Sequence, residues 1–556
     1  MQNKFDSLKP LFKGDIDLLE ETLNTYSHDA SLFEIKPEVV MFPKDKEDVK
    51  ALVNWVNEYN KNNPSSTPAQ PTLSITARAA GTCMSGGAIG SSIILDFTRY
   101  MNTIGEVTPD HAIVMPGCFY RDFDIATKKV GSFLPSFTAS RDINAVGGMV
   151  GNNSGGEKSI KYGKTENYIN SLEIVFSDGN IYNIKPLTKL ELESKMSENN
   201  FESNLYKKLF DLISNNYDEI KSAKPNVSKN SAGYYLWDVY DRETGKFDLC
   251  RLIVGSQGSL GIITKIDFKL VPFEPHTNIL AVFLPSLNDT SKLVNEILPF
   301  KPDSLETYDD KSMFLAVRFF FDFFKQLGFW GAVRLGFQFI PETFMVAMGG
   351  IPKLILMIEF TGKTDAEVKS KLVEVKEKIK HFGFHMHIAR SSAEAEKYWK
   401  IRHESFNLLR NHVHGKRTAP FIDDIIVKPE FLPDFLPQVK ALLDEYKLEY
   451  TVAGHLGNGN FHIIPLMDLN SPFSSDVILE LSEKIYTLVK KYNGSITAEH
   501  NDGIIRTPYL TQQFGEKVVS IFKDTKNIFD PLNIFNPGKK VGGTFQDIRN
   551  AIKKKN

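Results

Sequence analysis

Four residues in the later half of the chain carry side chains that bind divalent metals and move protons. The segment 455–462 begins and ends with histidine and holds Asn458-Gly459 between two β-type runs, a pattern typical of a two-residue hairpin turn. That turn places His455 directly opposite His462, with Cβ atoms about 4.5 to 5.5 Å apart. Glu499-His500 follows with a carboxylate and another imidazole. Two histidines and one carboxylate leave coordination positions open for a substrate; hydrogen bonding of these histidines to loop carbonyls is the alternative.

Three glycine-rich segments in the earlier half can turn backbone N–H groups toward an anion. They are residues 79–87, 147–156 and 255–261. A loop without side-chain bulk lets the backbone approach a diphosphate closely. None of them matches the G-x-G-x-x-G or G-x-x-x-x-G-K-[ST] fingerprints. We therefore expect a diphosphate-containing cofactor outside a Rossmann or P-loop site, although any single cluster is also explained by a tight turn.

These segments resemble a known family. Residues 78–87, residues 143–156 with Tyr162-Gly163, and residues 255–264 resemble the FAD-binding domain of the vanillyl-alcohol oxidase (PCMH) type of flavoprotein, in its D-lactate, glycolate and D-2-hydroxyglutarate dehydrogenase branch. The histidine segment, the later Glu-His pair and the stretch 529–539 resemble the FAD-linked oxidase C-terminal domain. The resemblance covers residues 37 to 540 and implies an α+β fold, with a PCMH-type FAD-binding domain followed by an α+β cap domain that holds the substrate.

The resemblance also implies which residues contact FAD. The pyrophosphate loop comprises Ala80, Gly81, Thr82, Cys83, Met84, Ser85, Gly86 and Gly87. The flavin is expected along Gly148, Gly151, Asn152, Asn153 and Ser154, and the adenosine end near Gly258, Gly261 and Ile262. Residues 79–90 contain no histidine, the residue that carries the flavin covalently in many relatives, so we expect non-covalent FAD.

The same resemblance makes His455, His462 and Glu499 ligands of a divalent metal, with zinc as the first expectation, and His500 the catalytic base. Residues 399–402 resemble the substrate-binding arginine motif, so Arg402 is the candidate for the substrate carboxylate, with a surface salt bridge as its alternative role and Arg506 as a second choice. Relatives read Glu-His-Gly where this chain has Asn501-Asp502 before the glycine.

The substrate expected from these residues is a small 2-hydroxy acid. Some relatives have a lysine shortly before the aspartate that matches Asp424, but residues 421–424 read Phe-Ile-Asp-Asp here. A clamp for a second carboxylate is therefore not evident, and this favours D-lactate. We expect the metal to hold the substrate, His500 to accept the hydroxyl proton and hydride to pass to the flavin.

Short elements must position these residues. We predict strands at 37–43, 73–76, 93–97, 112–115, 172–176, 252–254, 262–270, 279–283 and 355–360, and a hairpin at 449–466. We predict helices at 45–60, 120–130, 204–216, 364–382, 392–409 and 475–492. Prolines at 272 and 275 suggest a boundary, which divides the chain into an arm (1–36), an FAD domain (37–272), a substrate domain (273–541) and a basic tail (542–556).

Composition excludes several classes of protein. The chain has 556 residues and a formal charge of −2, so it has no basic excess for nucleic acid. Three separated cysteines suggest neither a disulfide framework nor an iron–sulfur cluster, and the N-terminal residues do not resemble a signal peptide, so we expect a cytoplasmic protein. Charges interrupt the aromatic segment 314–348 too often for a spanning helix. That segment is expected to rest on a membrane surface, to form cap-domain core or to make a homodimer contact.

The sequence leaves two other functions open. One is a non-catalytic subunit of a larger dehydrogenase, and the other is a redox-neutral flavoprotein similar to alkyl-glycerone-phosphate synthase, which we expect to need no metal. The intact set of three histidines and a glutamate favours a dehydrogenase. Its electron acceptor is expected to be a quinone, a cytochrome or an electron-transfer flavoprotein, because no haem or nicotinamide motif is present.

Overall fold

The computed structural model describes residues 4–65, 71–286, 288–310, 352–392, 394–402 and 415–553. Within them, the first half of the chain forms two main sheets. The strands are β1 Asp15–Asp17, β2 Val39–Phe42, β3 Ile75–Arg78, β4 Ile93–Asp96, β5 Ile104–Val107, β6 His111–Val114, β7 Ser132–Phe133, β8 Ile169–Val175, β9 Ile181–Ile184, β10 Ile262–Lys269 and β11 Val271–Pro272. One sheet has the order β1-β2-β4-β3, with β4 parallel to both β2 and β3, and the other is antiparallel with the order β5-β6-β10-β8-β9.

The second half is built on one large antiparallel sheet. Its strands are β12 His276–Leu284, β13 Ser304–Asp309, β14 Leu354–Gly362, β15 His385–Ile388, β16 Arg417–Thr418, β17 Ile425–Ile426, β18 Glu449–His455 and β19 Asn460–Met467. Their order is β15-β12-β14-β13-β18-β19-β16, and β17 pairs with β19. The strand β14 is buried along its whole length, which explains its continuous apolar run. The mixture of sheets and helices in both halves confirms the α+β fold class.

Helices cover both sets of sheets. They are α1 Glu20–Tyr26, α2 Lys46–Asn62, α3 Tyr120–Lys128, α4 Val146–Asn152, α5 Ser159–Tyr162, α6 Lys189–Ser197, α7 Phe201–Asn215, α8 Tyr217–Ala223, α9 Leu249–Ile253, α10 Thr290–Ile297, α11 Asp365–Ile379, α12 Leu432–Glu445, α13 Ser474–Lys491, α14 Gly503–Arg506, α15 Leu510–Phe514, α16 Glu516–Phe529 and α17 Phe545–Ala551. Local sequence determines where α2 begins, because Asp45 caps the helix by accepting from the N–H groups of Glu47 and Asp48.

One predicted strand is wrong. Residues 252–254 lie at the end of helix α9 and just after it. An apolar run this short has no periodicity that separates a strand from a turn of buried helix. The other strands and helices predicted within the described residues are present, with ends that differ from the prediction by a few residues. The last part of the helix predicted at 392–409 lies outside the described residues, and so does the whole segment 314–348.

Both ends of the described chain are packed elements. Phe5, Leu8 and Phe12 of the predicted arm are buried in the core of the FAD domain, and β1 pairs with β2. At the other end, helix α16 buries Phe522 in the same domain. The predicted basic tail includes helix α17, which buries Ile548 and Ala551, and Ile552 forms a β-bridge with Phe33. The last predicted segment is therefore a packed element up to residue 553, because Ile548, Ala551 and Ile552 lie in the hydrophobic core of the second half of the chain.

Candidate active site

The hairpin β18–β19 brings two histidines together, although not in the predicted register. His455 pairs with Asn460, and His462 pairs with Ala453. The connection takes four residues, a turn of 3₁₀ helix at Leu456–Asn458 and Gly459 at φ +72°, instead of the predicted two. The register differs from the prediction by an even number of residues, so both imidazoles stay on one face of the sheet. Their Nε2 atoms are 3.3 Å apart.

Glu499 completes a group of three possible ligand atoms. Its Oε2 lies 3.4 Å from Nε2 of His455, which is itself 3.3 Å from Nε2 of His462. Tetrahedral zinc with bonds of about 2.0 to 2.1 Å separates its ligand atoms by roughly 3.3 Å. Ligand atoms of Asp424, His462, Glu499 and His500 also lie within 4.8 Å of one another. The donor set and its spacing fit a divalent cation.

Carboxylates behind the histidines orient the rings. Glu306 on β13 lies 2.5 Å from Nδ1 of His455. Asp423 bridges two rings, with Oδ1 at 3.0 Å from Nδ1 of His462 and Oδ2 at 2.6 Å from Nδ1 of His500. Engaging Nδ1 in this way leaves Nε2 of each ring for a metal or a proton. The sequence reasoning missed both carboxylates.

Asp424 holds the loop that carries Glu499 and His500. Its Oδ2 accepts from the hydroxyl of Thr497 at 2.6 Å and from the backbone N–H groups of Glu499 and His500 at 2.8 and 2.7 Å. Its Oδ1 accepts from the side-chain amide of Asn460 at 3.1 Å. Both oxygens are therefore occupied, and Asp424 acts on the site by positioning its neighbours.

The charges of the site are balanced by buried partners. Burial on its own raises the pKa of Glu499, but Lys229, with Nζ at 2.5 Å from Oε1, and His455 bring it well below its ordinary value. Burial lowers the pKa of His500, whereas Asp423 and Asp424 outweigh that effect and raise it to about 9. Glu499 is thus ionised and available to bind a cation, and Asp423 and Asp424 stabilise the imidazolium form of His500.

One cavity of about 660 Å³ joins this group to the glycine-rich segments. Twelve of the sixteen predicted FAD contacts line it: Ala80, Gly81, Thr82, Cys83, Met84, Gly87, Gly148, Gly151, Asn152, Ser154, Gly258 and Gly261. His455, His462, Glu499, His500 and Arg402 line the same cavity. Its volume lies in the range of sites for organic ligands, and it connects the expected cofactor loops with the expected ligands and base.

Four predicted FAD contacts are not on the cavity wall. Ser85 is buried and its hydroxyl donates to the carbonyl of His500 at 3.1 Å. Gly86 has φ +80° and packs against Phe33. Asn153 caps helix α4 in the left-handed conformation, and Ile262 lies in the hydrophobic core. These residues shape the loops from behind, and a sequence motif does not distinguish the two sides of a loop.

Two glycines of α4 form an open cradle in the cavity wall. A Cβ added to Gly151 meets no atom within 4 Å, and one added to Gly148 meets only the Cβ of Ala79 at 3.5 Å. A side chain introduced at either position would therefore clash with no protein atom, but it would project into the cavity. This arrangement fits a large planar or diphosphate-bearing cofactor packed closely on the backbone.

Gly151→Ala should change stability and cofactor binding in opposite directions. Alanine in a helix is favoured over glycine by about 0.5 to 1 kcal/mol, so the FAD-free protein should unfold at a slightly higher temperature. The new methyl group intrudes on the cradle, so FAD affinity should fall about tenfold or more. Calorimetry of the FAD-free protein and a flavin fluorescence titration measure the two effects; unchanged FAD affinity is incompatible with a cofactor at Gly151.

The two arginine candidates have different surroundings. Arg402 lines the cavity, and its guanidinium lies 3.2 Å from Glu306, the same carboxylate that holds His455. Arg506 is fully buried and donates to the backbone carbonyls of Asn501 and Asp423. Arg402 is therefore placed to meet a substrate, whereas Arg506 supports the backbone of the site.

Cys83, within the first glycine-rich segment, is a buried thiol at the cavity wall. Cys83 is 8% exposed, its Sγ lies 3.2 Å from the hydroxyl of Ser85, and it accepts from the N–H of Gly87. Burial raises the pKa of its thiol, which suppresses the reactive thiolate. Cys118 and Cys250 are also buried, and all three are free thiols.

Comparison with known families agrees with the two halves of the fold. Residues 37–185 match the FAD binding domain family, and residues 274–540 match the C-terminal domain of FAD linked oxidases. The chain is 28% identical over 95% of its length to a D-2-hydroxyglutarate dehydrogenase of Pseudomonas putida, but it spans only half of that protein. It is 25% identical to a D-lactate dehydrogenase of Archaeoglobus fulgidus, covering 90% of this chain and 91% of that one.

A solved structure shares the fold over nearly the whole chain. An alkyldihydroxyacetonephosphate synthase superposes with a TM-score of 0.67 at 15% identity, covering 97% of this chain and 86% of that one. Identity this low supports the fold alone. Among the described residues, none of the helices combines the length and the apolarity that crossing a bilayer requires.

Proposed function

Because the chain belongs to the flavoproteins that join a PCMH-type FAD binding domain to an FAD linked oxidase C-terminal domain, we propose that it oxidises a small D-2-hydroxy acid, D-lactate first among them, to the 2-oxo acid. The observation that carries the proposal is the single cavity shared by the glycine cradle and the group of His455, His462, Glu499 and His500. A substrate between them meets a proton acceptor on one side and the cofactor on the other.

The residues divide the work of proton removal and orientation. His500 takes the hydroxyl proton on Nε2, while Asp423 holds Nδ1 and stabilises the resulting imidazolium. Arg402 binds the substrate carboxylate through its guanidinium. A cation on His455, His462 and Glu499 would act as a Lewis acid toward the hydroxyl and carboxylate oxygens. Bound FAD would accept the hydride from the α-carbon.

The wall beyond the histidines favours a small substrate side chain. Thr451 and Ala453 lie on the same face of β18 as His455, and Ile464 pairs with Thr451 across the hairpin. All three line the cavity. Short or apolar side chains at these positions suit a methyl group such as that of lactate better than a charged extension.

D-2-hydroxyglutarate is the second candidate, since the Pseudomonas putida relative is named for it. Its distal carboxylate needs a second cation. Among the described residues of the cavity wall, Arg402 is the lysine or arginine that the second domain contributes, and Arg78 and Arg141 come from the first. A redox-neutral function similar to the alkyldihydroxyacetonephosphate synthase is disfavoured because it leaves the group of three histidines and a glutamate without a role.

Anaerobic titration with D-lactate, L-lactate, glycolate and D-2-hydroxyglutarate tests the proposal. We expect D-lactate to bleach the yellow flavin band, and we expect reduction to slow about a hundredfold or more after chelation, because a Lewis acid contributes several kcal/mol. Re-adding metal should restore the rate. A colourless protein, or a flavin that none of the four acids reduces, favours the non-catalytic or redox-neutral alternatives.

Reduced flavin must pass its electrons to an acceptor. A quinone, a cytochrome and an electron-transfer flavoprotein are all chemically suitable, and we propose that one of them serves. Contact with a membrane surface or a second copy through residues 314–348 stays a prediction, because that segment lies outside the described residues.

A further inference from the structure

The loop that carries the ligand and the base is held by the FAD domain as well as by Asp424 of the second domain. We call residues 497–503 the ligand loop. The N–H of Ser231 donates to the carbonyl of Thr497 at 3.0 Å. The side-chain amide of Asn501 donates to the carbonyls of Asn152 and Gly255 at 3.1 and 2.9 Å. The loop therefore belongs to the second domain by sequence but takes much of its geometry from the first.

Lys164 makes a compact junction between the two. It is 2% exposed, and its Nζ donates to the carbonyl of Asn230 at 2.7 Å, the hydroxyl of Ser231 at 2.6 Å and the carbonyl of Ala498 at 2.9 Å. An ammonium group has three N–H donors, and all three are used. Two acceptors belong to the FAD domain, and the third immediately precedes Glu499.

The side chain of Lys164 also packs beside the Glu499 carboxylate. A Cβ at Gly155 would lie 3.1 Å from both Cγ of Lys164 and Oε1 of Glu499, so the two side chains share one narrow space above this glycine. Burial lowers the pKa of Lys164 to about 8. None of its three hydrogen bonds goes to a carboxylate, in contrast to Lys229, which is paired with Glu499.

We propose that Lys164 is a positioning residue that anchors the carbonyl of Ala498 to the FAD domain and thereby fixes Glu499 for metal binding. The inference rests on the metal site of the proposed function. Its physical basis is geometric: without the ammonium group, the carbonyl of Ala498 loses its link to Asn230 and keeps the hydroxyl of Ser231, at 3.0 Å, as a donor from the FAD domain. Glu499 keeps its charge partner Lys229 and the bond from its N–H to Asp424, but the carbonyl that precedes it is held less firmly.

The anchoring itself is tested without metal. Lys164→Met keeps the length of the side chain and removes the donors. In FAD-loaded, metal-free protein, we expect amide hydrogen exchange to accelerate in peptides covering residues 497–503 and to stay unchanged in the distant strand β14. Lys161→Met is the matched control, because Lys161 also crosses between the domains, to Asp303 at 2.8 Å, without contacting the ligand loop; it should leave exchange in the loop unchanged.

Metal affinity tests the consequence for the site. The dissociation constant for Zn²⁺ is measured by competition with a chromophoric chelator, and Co²⁺ absorbance reports ligand geometry. Loss of an outer partner of a metal ligand weakens metal binding about 10- to 100-fold, so we expect that weakening and an altered Co²⁺ spectrum for Lys164→Met alone. Ser231→Ala removes an acceptor for Lys164 and also a hydroxyl that donates to the carbonyl of Ala498. It should change affinity in the same direction and replaces Lys164→Met if that variant does not fold.

The outcomes separate this inference from the proposed function. Unchanged exchange in the ligand loop overturns the anchoring, as does equal loosening in Lys161→Met. Faster exchange with unchanged Zn²⁺ and Co²⁺ binding overturns the positioning of Glu499. If the parent protein binds neither metal while Lys164→Met still loosens the loop, the metal site of the proposed function fails and the anchoring stands.

Discussion

His500→Ala is expected to slow flavin reduction by the 2-hydroxy acid about 10²- to 10⁴-fold, the usual contribution of a positioned general base. Asp423 and Asp424 stabilise the imidazolium that forms when His500 takes a proton, and Asp423 lies against Nδ1, so Nε2 is the nitrogen left to face a substrate hydroxyl. The measurement is stopped-flow absorbance of the flavin band under anaerobic conditions. FAD content should be preserved, because the glycine cradle belongs to a different element.

A histidine with a similar carboxylate partner provides the control. His111 on β6 has Nδ1 at 3.2 Å from Asp267, and it does not line the cavity. His111→Ala should reduce its flavin at the parent rate. If His500→Ala keeps near-native turnover with full FAD occupancy, then the proton goes elsewhere and His500 is not the base.

The neighbouring histidines could be predicted from sequence, whereas their partners could not. His455 and His462 flank a turn signal, and an error of two in the register leaves them on one face. Glu306 reaches His455 from a residue 149 positions away in the chain, on a strand whose pattern does not mark one acidic residue as special. Asp423 lies in residues 421–424, which were considered only because some relatives have a lysine there and this chain does not. Partners brought together by sheet order leave no local spacing to detect.

The roles of the buried lysines also could not be predicted from the sequence. Lys164 and Lys229 are nearly inaccessible to solvent, yet lysine is among the residues most often exposed. Each is recognisable only when the acceptors around its ammonium group are known. The glycine loops were easier, because glycine density itself signals close backbone approach. Even there, Ser85 and Ile262 face away from the cavity, since the direction of a side chain in an irregular loop depends on tertiary packing.

His462→Ala should remove the metal and, with it, most of the activity. The imidazole supplies one of three closely spaced ligand atoms, and its Nδ1 is held by Asp423. Loss of an outer partner costs about 10- to 100-fold in metal affinity, so loss of a ligand should cost at least about a hundredfold. Asp423→Asn should fall between this variant and the parent. Metal content is measured by atomic emission after dialysis against a weak chelator, together with the rate of flavin reduction.

His387→Ala separates this effect from the loss of any partly buried histidine that pairs with a carboxylate. His387 lies on β15 of the same sheet and pairs with Glu394 at 3.1 Å, but it does not line the cavity. It should retain parent metal content and activity. Activity that survives in metal-free His462→Ala would mean that Arg402 and His500 orient and deprotonate the substrate without a Lewis acid. A shared loss of metal and rate, with FAD retained, would assign substrate activation to the cation held by His455, His462 and Glu499.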